Sequence, residues 1–157
     1  MTSQRVGIII PVQNQPDLLA AAESFGVQKV ELNCWEADTY NPALAEAIQA
    51  EAARLGITIT ALWAGWPGPK VWDFIDGPRT LGVVPPDWRP ARISALKQGA
   101  DFAHQLGLPA IITHLGFIPE NAADPAFAGV VVAVREVAMH LDGLGMEGSP
   151  SGTSSKR

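Results

Sequence analysis

Few residues in this chain have the chemistry to act, and His114 is the most prominent. The stretch "PAIITHLGFIPE", Pro109 to Glu120, carries a short apolar β-branched run that ends in His114 and breaks at Gly116. Such a run reads as a buried strand that delivers an imidazole to a loop at its tip, where a histidine can donate or accept a proton near neutral pH. The alternative is a histidine satisfied by hydrogen bonds close to a strand end. Glu31 raises a similar question in "KVELN", because a carboxylate inside an apolar strand is costly unless it is paired or hydrogen-bonded. It either lines a site or faces a helix N-terminus or a buried arginine. Trp63, Trp66 and Trp72 surround the Gly/Pro-rich stretch "WAGWPGPKVWDF". Their rings suit the apolar faces of sugars, or else form the small core of a long loop.

The other candidates are weaker. Lys70 and Arg79 could meet an anion from the same loop, although solvated charge is the simpler reading. His104 and His140 fall inside helical patterns and read as helix-surface residues. Glu36 lies just past Cys34-Trp35 and reads as solvated. Cys34 has no histidine near it in sequence, so a catalytic thiol is not expected. Neither HExxH nor CxxC occurs, so the sequence shows no metal site and no catalytic residue is assigned.

The elements that must position these groups alternate. Strands are expected at Arg5 to Ile10, Lys29 to Asn33, Ile57 to Trp63 and Ala110 to Leu115. Helices are expected at Gln15 to Gly26, Asn41 to Gly56, Arg89 to Gly107 and Asp124 to Leu141. Each has a proline near its start and a cap or glycine stop, as in Asn41-Pro42 and Gly56. This β-α alternation calls for parallel strands joined by right-handed crossovers. The segment from Ala64 to Trp88, between the third strand and its helix, is long enough to suggest a loop over a binding site. The turn after the first strand, "IPVQNQPD", has no glycine, and no Walker A motif occurs, so the phosphate-binding signs of a doubly wound sheet are missing.

Composition narrows the function further. The chain has 157 residues, 47% hydrophobic and 17% charged, as expected of one globular domain. A formal charge of -5 offers no basic surface, so neither nucleic acid nor a membrane is an expected partner. One cysteine permits no intrachain disulfide, and the N-terminal apolar run is too short for a signal peptide. Both suit a cytoplasmic protein. The last residues, "DGLGMEGSPSGTSSKR", are Gly- and Ser-rich without periodicity and are expected to be disordered.

In order along the chain, "GVQKVELNCWE", "LGITITALWAGWPG" and "LGLPAIITHLGFIPE" resemble the xylose isomerase-like (β/α)8 barrel family. These are the sugar phosphate isomerases/epimerases and the endonuclease IV-type enzymes. The resemblance runs from Val6 to Leu141. It implies an α/β fold of parallel (β/α) units of a TIM barrel, about four of eight, since a full barrel takes about 250 residues. The expected organisation is an N-terminal half barrel over 1–142 and a tail over 143–157, from a truncated coding sequence.

The resemblance also implies a divalent metal (Mn, Mg, Co or Zn) for the full-length family, bound mainly by Glu, Asp and His of strands five to eight, which have no counterpart here. Endonuclease IV-type members add zinc-binding histidines on strands three and four. His114 matches the fourth strand, but the third ends in Trp63-Ala64-Gly65 without a histidine. The implied function is therefore isomerisation or epimerisation of a sugar or related hydroxy-carbonyl compound, with His114, Glu31, Trp63 and Trp66 as substrate contacts. Activity of this chain alone is in doubt. The alternatives are an endonuclease IV-like metal-dependent phosphodiesterase, or a non-catalytic half barrel that forms a homodimer through its open sheet edges.

Overall fold

The structure is a computed structural model that describes residues 6–13 and 17–146. Four strands, β1 (Ile8–Pro11), β2 (Lys29–Cys34), β3 (Thr58–Ala64) and β4 (Ile111–Ile112), form one parallel sheet in the order β1-β2-β3-β4. The order is sequential, with no reversal of the kind at which a doubly wound sheet binds its ligand. It is the order of successive barrel units.

Among the described residues, five α-helices connect and flank the strands: α1 (Ala20–Ser24), α2 (Pro42–Leu55), α3 (Gly77–Thr80), α4 (Arg89–Gln105) and α5 (Pro125–Gly143). The capping read from sequence holds for α2. The Asn41 side chain accepts from the Leu44 amide at 2.9 Å, and Gly56 ends the helix with φ 66°. In α5, Asp124 accepts from the Ala126 amide at 2.8 Å. Helix α1 is shorter than expected. Asp17 sits at φ 60°, which a right-handed helix cannot use, so the regular turns begin only at Ala20. Strand β4 keeps two ladder residues, because beyond Ile112 the chain turns away to meet the long loop.

The outer face of the sheet is the dry one. Val30, Leu32, Cys34, Leu62 and Ala64 are buried there against the helices, with Leu96, Ala100, Phe102 and Ala103 of α4 closing the layer. The register carries one irregularity: Val30 pairs with Ile59 and Glu31 with Ala61, leaving Thr60 as an extra residue. Its hydroxyl donates to the Val30 carbonyl at 2.9 Å. Helices α4 and α5 are tied by Lys97 to Glu136 at 2.6 Å and by His140 to Asp101 at 2.7 Å.

Helix α5 ends at Gly143 and Met146 is buried, so packed structure extends past the boundary expected at residue 142. The remainder of the expected tail, 147–157, lies outside the described residues. No helix among the described residues is long and apolar enough to cross a membrane.

Candidate functional site at the strand tips

Strand alternation places Glu31, Asn33 and Trp63 on the inner face, opposite the helices. The register aligns Pro11, Asn33, Trp63 and Ile112 in one row across the sheet, near the carboxyl ends of the strands. One row deeper, Glu31 lies between Ile9 and Ala61. Its carboxylate takes no hydrogen bond from the described side chains or turns, and neither does the Asn33 amide. Two polar groups thus stand on this face without described partners.

Past the tips, four tryptophans gather. Trp35, just after β2, packs on Trp63 with ring centroids 4.6 Å apart, on Trp66 at 5.6 Å and on Trp72 at 6.3 Å. Trp66 is wholly buried, and its indole Nε1–H donates to the His114 carbonyl at 3.3 Å. It forms the floor of the long loop, so its ring presents no face to solvent. Trp63 is half-buried and Trp72 is exposed.

His114 meets Trp72 edge-on at 5.0 Å, and its Nδ1 accepts from the Gly116 amide at 3.0 Å. A neutral imidazole that accepts at Nδ1 carries its proton on Nε2, so His114 offers an N–H donor to a ligand. A metal bound at Nε2 would need the opposite tautomer, with Nδ1–H facing an acceptor rather than an amide. The local hydrogen bond therefore fits an oxygen contact and opposes a metal ligand. The divalent metal that the resemblance implies does not fit the described residues either, among which no three His, Cys, Asp or Glu side chains converge.

The long loop is anchored by a residue that the sequence reading missed. Arg92 of α4 has no exposed surface, and it donates to the carbonyls of Pro67 (3.0 Å), Pro69 (3.0 Å) and Gly82 (2.6 Å). Its guanidinium lies 4.2 Å from the centroid of the Trp66 ring. Burial lowers its pKa to about 10, which leaves it charged at neutral pH. Its signal in sequence was faint: Arg92 is four residues before Leu96, on the face that α4 buries. Trp35 was overlooked as well, although it follows β2 much as Trp66 follows β3.

The far end of the loop reaches the tip of β4 by backbone contact. The Val83 amide donates to the Leu115 carbonyl at 2.9 Å. A Cβ at Gly82, where φ is 65°, would lie 1.9 Å from the Leu115 carbonyl carbon, and one at Gly116 would lie 2.3 Å from the Leu81 oxygen. Only glycine allows the two segments to touch here. Two clefts open on this end. One of about 610 Å³ is lined by Gln13, Asn33, Trp35, Glu36 and Asp38, among others, and one of about 150 Å³ by Trp72, Asp73, Phe117 and His114, among others.

A chain with this sheet and these strand tips has counterparts among solved structures. It is similar to a xylose isomerase domain protein from Planctomyces limnophilus, with a TM-score of 0.80 and 28% identity over 90% of this chain and 51% of that one. The chain has the fold of half a xylose isomerase-like barrel. The parallel strand order and the extent of the match are consistent with the N-terminal half.

The half barrel is also similar to D-psicose 3-epimerase from Clostridium cellulolyticum H10, solved with D-tagatose. There the TM-score is 0.57 and the identity 16%, over 90% of this chain and 50% of that one. A sugar phosphate isomerase/epimerase from Parabacteroides distasonis ATCC 8503 gives 0.52 and 11%, over 97% and 59%. At those identities the likeness is one of fold. The chain spans about half the length of the structures it matches. No protein-family model and no curated protein matches the sequence.

Proposed function

We propose that the half barrel forms the substrate-facing part of a sugar isomerase/epimerase-like protein acting on a sugar or related hydroxy-carbonyl compound. The observation that carries the reading is His114 at the tip of β4, held by the Gly116 amide so that Nε2–H is available as a donor beside Trp72. That N–H donates to a carbonyl or hydroxyl oxygen of the substrate. Glu31 and Asn33 supply an acceptor and an amide from the sheet face, and the half-buried Trp63 supplies an apolar surface. Trp66 acts from beneath by holding the His114 carbonyl. Groups beyond the described residues would have to supply the divalent metal (Mn, Mg, Co or Zn) and the proton transfers. A cytoplasmic setting belongs to the same proposal, and the single buried thiol of Cys34 suits it.

The test is saturation-transfer NMR with D-fructose and the purified protein. Transfer from the aromatic protons is expected, with affinity about tenfold weaker in His114→Ala, the loss of one buried hydrogen bond. No transfer to the intact protein overturns the reading. Epimerisation of the sugar with added Mn²⁺ or Mg²⁺, stopped by a chelator, would assign turnover to this chain itself.

A second reading is a homodimer that covers the inner face. Ile9 is 64% and Ile112 41% exposed there, and β1 and β4 are sheet edges among the described strands. Light scattering should then give about twice the 16.6 kDa chain mass. A monomer with strong amide protection in β1 and β4 would count against it.

A further inference from the structure

The clefts at the strand tips are unusually poor in usable positive charge. The larger one carries Glu36 and Asp38, both exposed, beside the amides of Gln13 and Asn33 and the ring of Trp35. The smaller one carries Asp73, whose carboxyl is held below the usual range by the Asp76 and Ile75 amides. Among the described residues, no lysine or arginine lines either cleft.

The nearby cations are turned to other tasks. Arg92 is spent on three loop carbonyls, and Arg89 donates to the carbonyls of Val83 (2.7 Å) and Val84 (2.6 Å). Lys70 donates to the Gly68 carbonyl at 3.3 Å and lies 5.3 Å from the Trp35 ring centroid. Through Trp35, which lines the larger cleft, it is a cation that could turn toward a ligand.

Helix N-termini, the other common holders of phosphate, are partly occupied: α2 and α5 carry side-chain caps, whereas α4 has none. They bind anions through free backbone N–H groups. Each of the three long helices has a proline in its first turn, which removes one such group. The side chains of Asn41 and Asp124 occupy a further amide in α2 and α5, and Asp124 adds negative charge. What remains is a surface of amides, carboxylates, an imidazole N–H and indole rings. Those groups match hydroxyls and the C–H faces of a sugar ring.

We infer that the strand-tip clefts take an uncharged polyhydroxy ligand, a free sugar rather than a sugar phosphate. The inference rests on the proposed sugar site and names its substrate class. Carboxylates within a Debye length of a bound phosphate repel it, and no opposing cation among the described residues lines the clefts.

The experiment titrates the intact protein with D-fructose and with D-fructose 6-phosphate at 0.15 M salt, following the indole N–H resonances. D-fructose is expected to shift the Trp35 and Trp72 signals, and the phosphate ester to bind about tenfold more weakly. In Glu36→Gln/Asp38→Asn, at two exposed positions, the gap between the two ligands should narrow to about threefold. Equal or tighter binding of the phosphate ester overturns the inference, and if Lys70→Gln removes that binding, the phosphate is held there. No shift with either ligand overturns the inference and the sugar site together, so the two failures are distinguishable.

Discussion

The two faces of one small sheet could hardly differ more. On the outer face Val30, Leu32, Leu62 and Ala64 have at most 1% of their surface exposed, and α4 packs on β3 within the same buried cluster. On the inner face the same strands show Glu31, Asn33 and Trp63 half-buried, with Ile9 and Ile112 largely open. The outer face is where folding free energy comes from, since burial of apolar surface scales with the area removed from water. The inner face contributes little to stability and so is free to carry polar groups and rings. The long loop joins the two regimes: Arg92 and Trp66 bury its floor, while Trp72 and His114 stay at the rim.

Mutations can test that division. The largest effect is expected at the junction. Arg92→Ala orphans the carbonyls of Pro67, Pro69 and Gly82 and removes the contact with Trp66, at a cost of about 4 kcal/mol or more. Urea unfolding would measure it, and a cost below about 1 kcal/mol would mean the loop does not depend on this anchor. Leu62→Ala on the outer face should cost about 3 kcal/mol through the cavity it leaves.

Gly82→Ala should cost about 2 kcal/mol, because it places a Cβ against Leu115 and strains a left-handed residue. Its fall in thermal midpoint should come with a shift of the His114 imidazole resonances, since the contact it breaks adjoins that residue. Smallest of all, Ile112→Thr on the inner face should change stability by less than about 0.5 kcal/mol in a monomer. A larger loss that depends on protein concentration would mean that a second copy covers this face.

Much of the architecture was legible in the residues. The β-α alternation, the Asn41-Pro42 and Asp124-Pro125 helix starts and the Gly56 stop are local signals, and local signals survive folding. Helix α1 was less legible because the left-handed Asp17 delays its first turn, a backbone choice that side-chain pattern does not encode. In the site, the run before His114 pointed correctly to a strand tip. The tautomer of that histidine did not follow from it, since it depends on the Gly116 amide folding back.

The sequence by itself determined the order of elements and their polarity, because periodicity, caps and glycine stops act over a few residues. The half-barrel likeness rested on the resemblance of the strand-end stretches to a known family. Only the tertiary structure decided that Trp66 is a floor rather than an open face, that Trp35 joins the cluster, and that Arg92 holds the loop. Those outcomes turn on groups brought together from positions 35, 66, 72, 92 and 114. Contacts between such distant positions leave no periodic trace in the chain, since they are set by packing rather than by spacing.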